Sequence, residues 1–140
     1  MISTELARAL SDSGLEWHPR AGDAFRIDRI EVDDEVFILS DMTVEAHEFS
    51  SGTVLGFNGT TEWALDSVSI EDALWMPRED QLRELLGSAF RSLGATPASR
   101  FAVGTVIDAE PKTFEADTAA DAYARALLTI LDAGRARPAR

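Results

Sequence analysis

The sequence predicts an α+β protein in which antiparallel strands are grouped together and helices stand at the beginning, in the middle and at the end. Three observations predict this class. Apolar residues recur at helical spacing in three segments that end at glycine. Short runs rich in β-branched and aromatic residues lie between those segments, separated by turn residues. The two kinds of segment do not alternate as β-α-β, which argues against a parallel sheet.

The three helical segments each have recognisable ends. Ser3 is a suitable N-cap for the first, and the pattern at Thr118 predicts the start of the last. In the middle segment Leu82, Leu85 and Leu86 recur on one face. The predicted helices cover 3–13, 78–86 and 118–133, and they end at Gly14, Gly87 and Gly134.

The strands differ in the strength of their signals. The unbroken apolar run Val36–Leu39 predicts a central strand that is covered on both faces. Asn58 and Gly59 stand between two β-type runs and predict a tight type I′ hairpin. The predicted strands are 24–27, 36–39, 43–49, 54–57, 60–65, 90–93, 101–107 and 113–116. The part from 78 to 133 thus has the order α-β-β-β-α.

The length of 140 residues fits one domain, and no linker rich in Pro, Gly or Ser divides it. We expect a single α+β domain over 1–134, divisible into lobes 1–76 and 77–134. The basic residues 135–140 are expected to form a disordered tail.

Composition excludes several classes of protein. Cysteine is absent, so there are no disulfides, thiolate metal sites or cysteine nucleophiles. No apolar run approaches the ~20 residues that cross a bilayer, and the first residues lack the pattern of a signal peptide. We therefore expect a cytoplasmic protein with no membrane partner.

The negative charge is unevenly distributed along the chain. The net charge is −12; the first 80 residues hold 18 acidic and five basic residues (−13), and the rest hold seven and eight (+1). A field of this sign repels phosphate backbones and anionic membranes and attracts basic surfaces. We expect a basic protein partner or self-association as a homodimer. Simple solubility is the plainer interpretation of the same charge.

The α-β-β-β-α order is also that of double-stranded-RNA-binding modules. Those modules need basic residues at the start of their last helix to hold phosphates. Glu115, Asp117 and Asp121 occupy that region here. Carboxylates there would repel the ligand, so we expect no nucleic-acid partner.

Two groups of residues are candidates for a binding site. The first is the loop that carries Trp17 and His18, since loops often hold functional side chains. The second combines tryptophans with polar residues of the kind found in binding hot spots: Asn58, Glu62, Trp63, Asp66, Trp75 and Arg78. The structural alternative is that the tryptophans fill the core.

The motifs of the common enzyme classes are absent. The chain has no G-x-S-x-G elbow, no phosphate-binding G-x-x-x-x-G-K-[ST] loop, no G-x-G-x-x-G and no H-E-x-x-H. Glu45 and His47 share a strand face but are too few to hold a metal. We assign no catalytic residue, metal or cofactor.

A non-catalytic protein-binding or accessory module is the leading hypothesis. Its alternatives are a small-molecule-binding protein or enzyme with a Trp/His/Arg-lined pocket, and an acidic mimic of nucleic acid.

Several segments together resemble a known group of proteins. They are 15–20, 33–37, 57–68, 75–83 and 121–128, and they span nearly the whole chain. They resemble a family of small uncharacterised actinobacterial proteins that are often labelled pilus-assembly proteins. The resemblance implies a bacterial cytoplasmic protein and supplies no catalytic residues.

Overall fold

The computed structural model describes residues 1–27, 35–39, 44–49, 52–57, 67–69 and 72–136. These residues form three α-helices and nine strands, and every strand pairs antiparallel within a three-stranded sheet. The elements are α1 (Thr4–Asp12), β1 (Ala24–Ile27), β2 (Val36–Ile38), β3 (Val44–Phe49), β4 (Gly52–Phe57), β5 (Ser67–Ser69), β6 (Ala73–Trp75), α2 (Glu79–Leu86), β7 (Phe90–Ala95), β8 (Phe101–Ile107), β9 (Glu110–Ala116) and α3 (Ala119–Ala136). The α+β class and the order α2-β7-β8-β9-α3 are confirmed.

The chain divides into two compact units. The split unit consists of Met1–Glu16 and Pro77–Arg140, and the inserted unit consists of Trp17–Met76. All three α-helices and the sheet β7-β8-β9 belong to the split unit. The inserted unit holds the sheets β2-β1-β6 and β3-β4-β5. The chain therefore leaves the split unit after α1 and returns to it just before α2.

The core of the split unit lies around α3. This helix packs against α1, α2, β8 and β9. Leu10 and Leu82 from the first two helices and Val103 from β8 have no exposed surface. Burial of a side chain of this size stabilises a fold by about 1.5–3 kcal/mol. On the edge of this core the Arg83 guanidinium lies 4.2 Å from the centre of the Phe90 ring.

Helix α1 is held to α3 near both of its ends. Ser3 is its N-cap and accepts a hydrogen bond at Oγ from the Leu6 amide (3.2 Å). The amide of Ser3 donates to Asp121 Oδ1 at 2.7 Å. At the other end, Ser13 Oγ donates to Asp132 Oδ1 at 2.7 Å. Two carboxylates of α3 thus fix the first helix of the chain.

The sheet of the split unit turns one face of β8 toward the helices. Val103, Thr105 and Ile107 are buried and alternate with more exposed residues, as expected for a half-covered strand. The buried Thr105 hydroxyl donates to the carbonyl of Lys112 (2.9 Å). Between β8 and β9, Asp108 and Ala109 have φ of 52° and 65°. A two-residue loop with both φ positive is a type I′ turn.

In the inserted unit a row of aromatic residues crosses one sheet. Phe25 in the central strand β1 lies opposite Phe37 of β2 and opposite Trp75 of β6. Residues directly opposite in antiparallel strands share a face of the sheet. Phe25 and Ile27 are fully buried and, with Leu39, form the core of this sheet.

One strand prediction in the inserted unit is corrected. Val36–Leu39 was expected to be central, but β2 is an edge strand among the described residues, and Ile38 is 59% exposed. An apolar run alone does not distinguish a central strand from an edge strand. Among the described residues β4 pairs with β5, with Gly56 opposite Ser67, and the predicted strand 60–65 lies outside the described residues. The Asn58–Gly59 turn lies outside the described residues.

Two predictions in the split unit are also corrected, and one strand before its boundary was missed. Leu85 was placed on the buried face of α2 but is 43% exposed, whereas Leu82 and Leu86 are buried. Helix α3 does not stop at Gly134; it continues to Ala136, and residues 137–140 lie outside the described part. Strand β6 was not predicted at all. Within the described ranges, no helix has the length and apolar character that crossing a bilayer requires.

Candidate functional site

The loop between α1 and β1 holds the first candidate residues, Trp17 and His18. The indole Nε1 of Trp17 donates to Asp23 Oδ2 at 2.9 Å. The same oxygen accepts a hydrogen bond from the amide of Arg20 at 3.0 Å. Asp23 is only 2% exposed. A buried carboxylate is stable only when it is hydrogen-bonded. Here its two donors connect Trp17 and Arg20 to Asp23 within the same loop.

Trp17 also contributes to the core of the inserted unit. Its ring centre lies 5.4 Å from that of Phe25, which in turn lies 5.6 Å from Phe37. These separations are typical of packed aromatic pairs. The structure therefore places Trp17 in a structural position, while His18 is the exposed ring of the loop. The sequence already places Asp23 in the same candidate loop as Trp17 and His18, directly before β1.

Trp75 lies in β6, at the end of the aromatic row. It is half-buried and lies opposite Phe25. Its indole Nε1 is buried and has no hydrogen-bond partner among the described residues. An unsatisfied buried donor costs about 1–3 kcal/mol relative to a paired one. The indole N–H of Trp75 is therefore able to donate to a further acceptor.

Arg78 caps the beginning of α2 in the split unit. Its amide donates to Gln81 Oε1 at 3.0 Å, and its guanidinium Nε lies 3.0 Å from Asp80 Oδ1. Both side chains of this ion pair are well exposed. The hydrogen bond from Arg78 holds the pKa of the Asp80 carboxyl below its ordinary value. Arg78 therefore stabilises the first turn of a surface helix.

The structure does not describe most of the remaining candidate residues. Asn58, Glu62, Trp63 and Asp66 lie outside the described residues. His47 lies in β3 opposite Val54. In the part of the chain that the structure describes, no group of three or more His, Asp or Glu residues is placed to hold a metal ion.

The split unit has a pocket that sequence reasoning did not find. It has a volume of about 420 Å³ and is lined by Ser3, Glu5, Leu6, Asp121 and Arg125. Asp121 accepts from the Ser3 amide, and its own amide donates to Thr118 Oγ1 at 3.1 Å. The lining groups of Ser3 and Asp121 are thus used to join α1 to α3. In the sequence, the capping pattern of Thr118 with Asp121 was the signal that could have indicated this pocket.

The charge of the protein is concentrated in the inserted unit. Residues 17–76 contain 13 acidic and three basic residues, a net charge of −10. The split unit contains 12 acidic and ten basic residues, a net charge of −2. The asymmetry between the two parts of the sequence is therefore an asymmetry between two compact units.

No family model matches the chain, and no curated protein or solved structure is significantly similar to it. The geometry and the charge distribution are therefore the basis for a functional proposal.

Proposed function

We propose that the protein is a non-catalytic accessory module whose inserted unit binds a basic protein partner. The observation that supports this most is the concentration of charge: a net −10 on 60 of the 140 residues. A compact unit of 60 residues has a radius of gyration of about 10 Å. The Debye length at physiological ionic strength is also about 8–10 Å. Charges within about one Debye length of each other reinforce one another, so the carboxylate excess of this unit favours a basic partner.

One carboxylate of the inserted unit is buried among its described residues. Among its described residues Asp23 is the buried carboxylate, and it serves the Trp17 loop. Glu35, which directly precedes β2, is exposed. An acidic field of this kind speeds the association of a basic partner and suppresses binding of anionic ones.

A capture experiment with matched charge variants tests the proposal. The immobilised protein is incubated with bacterial lysate at low and at high salt, and bound proteins are quantified by mass spectrometry. The test variant combines Asp33→Asn, Asp34→Asn and Glu35→Gln in the inserted unit. The control combines Glu84→Gln, Glu110→Gln and Glu115→Gln in the split unit, and it changes the net charge by the same amount.

We expect a basic protein to be captured at low salt and released at high salt, because exposed charges are screened. The test variant should retain clearly less of it than the control variant. Absence of any salt-sensitive partner, or equal loss with both variants, would count against a binding role for the inserted unit.

One observation favours a second function, that of a small-molecule-binding protein. The buried Trp75 Nε1 lacks a partner among the described residues, so a ligand with an acceptor atom could satisfy it. A metabolite library screened by thermal shift would identify such a ligand. Binding should weaken in Trp75→Phe, which keeps the ring and removes the donor. A ligand bound equally by both proteins would exclude this role for Trp75.

A further inference from the structure

The two edges of the sheet β7-β8-β9 are built differently. Strand β9 carries Pro111, which has no N–H to donate, together with the charged residues Glu110, Lys112 and Glu115. Proline and charged side chains on an edge strand are the usual protection against pairing with another strand. The β9 edge is therefore protected.

Among the residues that the structure describes, strand β7 forms the other edge, and it lacks that protection over most of its length. Its one charged residue is Arg91, at a bulge near the start of the strand. The Arg91 guanidinium donates to the carbonyls of Ser88 and Phe90, so it is turned toward the chain before the strand. From Ser92 to Ala95 the register with β8 is regular, and the residues are uncharged.

The apolar residues of this edge are left uncovered. Leu93 lies opposite the fully buried Val103 and so faces the same side as the helices, yet it is 40% exposed. Phe101, opposite Ala95 on that side, is 37% exposed. Helix α3 packs on β8 and β9 but does not extend over β7 to a comparable degree. An edge that is open in both its backbone and its side chains is a template for a further strand.

We propose that β7 is a self-association edge, at which two copies of this chain pair antiparallel and join their sheets into one of six strands. The proposal concerns the split unit and does not depend on what the inserted unit binds.

Charge favours a second copy as the occupant. In a symmetric antiparallel pair the residue on the two-fold axis lies opposite itself. With the axis at Leu93, Arg91 would lie opposite Ala95 of the second copy, and no like charges would face each other. The split unit also has a net charge of only −2, so two copies repel each other weakly through it.

The size of the edge limits the strength of this contact. Stable interfaces bury about 800 Å² per partner, with about 20–30 residues a side. Strand β7 offers six residues, to which Phe101 adds one more. We therefore expect a weak dimer that dissociates on dilution, with a dissociation constant on the order of micromolar or above.

Sedimentation velocity over a concentration series tests the proposal directly. The unmodified protein should shift from monomer to dimer between micromolar and millimolar concentrations. Leu93→Lys should remain monomeric, because the two introduced lysines would lie opposite or beside each other in the pair. Thr113→Lys, on the exposed face of the protected edge, is the control and should dimerise normally. Far-UV circular dichroism checks that both variants are folded.

Single cysteines locate the contact independently of stability, because the chain has no cysteine of its own. A disulfide needs Cα atoms within about 7 Å. Leu93→Cys and Gly94→Cys lie on opposite faces of β7, and a Cβ at Gly94 meets no atom within 4 Å. Mild oxidation should link two copies strongly at one of these positions. Thr113→Cys should give little linked product.

A protein that stays monomeric at millimolar concentration would overturn the proposal. So would a dimer that Leu93→Lys leaves intact, or equal cross-linking at β7 and β9. A monomer that instead binds an extended foreign peptide at β7 would show that the edge takes another partner and would equally reject self-association.

Discussion

At the scale of single residues, the carboxylate of Asp23 joins a side-chain donor and a main-chain donor in one buried contact. Trp17 Nε1 and the Arg20 amide both donate to Oδ2. When the carboxylate is removed, both donors lose their hydrogen-bond partner at a largely buried position. Such a loss is more costly than removal of a donor and acceptor together.

Asp23→Ala is therefore expected to destabilise the inserted unit by about 3 kcal/mol. Trp17→Phe keeps the aromatic contact with Phe25 and removes one donor, so it should cost about half as much. Urea denaturation followed by tryptophan fluorescence measures both. Equal effects of the two substitutions would mean that the hydrogen bond from the Arg20 amide to Asp23 adds nothing to the stability of the loop.

The β8–β9 turn contains a residue in an unfavourable conformation. Ala109 has φ of 65°, in the left-handed region that glycine adopts without cost. Ala109→Gly should raise the free energy of unfolding by about 1 kcal/mol. Ala102→Gly, in the regular strand β8, is the matched control and should lower it by about 0.5–1 kcal/mol. Thermal denaturation by circular dichroism would decide; two changes of the same sign would contradict a turn-specific effect.

At the scale of elements, local sequence signals located most helices and strands, while their surroundings were harder to predict. Strands 24–27 and 101–107 were predicted with the bounds that β1 and β8 have. Strand β6 was missed because three residues before Met76 and Pro77 carry too little periodicity. The edge position of β2 depends on which strand pairs beside it, and a run of apolar residues does not contain that information.

Gly134 illustrates how tertiary packing overrides a stop signal. Helix α3 continues past it, and Asp132 is held by Ser13 from α1. Gly134 is exposed, and a Cβ there meets no atom within 4 Å. Gly134→Ala should therefore stabilise the split unit by about 0.5–1 kcal/mol.

Gly87 provides the opposite case for the same substitution. It ends α2 with φ of 55°, so Gly87→Ala should destabilise by about 1 kcal/mol. Chemical denaturation monitored by far-UV circular dichroism measures both variants. Stabilisation by Gly87→Ala, or none by Gly134→Ala, would show that backbone conformation does not govern these positions.

At the scale of the whole molecule, each unit carries its own spectroscopic probe. All three tryptophans, Trp17, Trp63 and Trp75, lie in the inserted unit. The described α-helices, which dominate the far-UV signal, lie in the split unit. Unfolding of the two units can therefore be followed separately in one sample.

Salt should stabilise the inserted unit more than the split unit. Self-repulsion within a net −10 destabilises a compact state, and added ions screen it. Raising sodium chloride should move the fluorescence midpoint in urea upward, while the circular dichroism midpoint changes less. Coincident midpoints that move together at every salt concentration would contradict separate charge effects in the two units.

Functional residues were less predictable than elements. Trp17 and Trp75 were singled out as tryptophans near polar groups, which is a compositional signal. The structure separates them by the state of their indole nitrogens, since one is bonded to Asp23 and the other has no partner among the described residues. That difference depends on contacts between individual atoms, which the spacing of residues in the sequence does not determine. The charge asymmetry, by contrast, was visible directly in the sequence.

The pairing of α1 with α3 has a consequence for the nascent chain. The Ser3–Asp121 and Ser13–Asp132 hydrogen bonds join residues 118 and 119 positions apart. At a translation rate of about 5–20 residues per second, roughly 6–24 seconds pass between the synthesis of α1 and the synthesis of its partner residues in α3. The inserted unit leaves the ribosome during that interval. The acidic unit can therefore fold while the unit that flanks it in sequence is still incomplete.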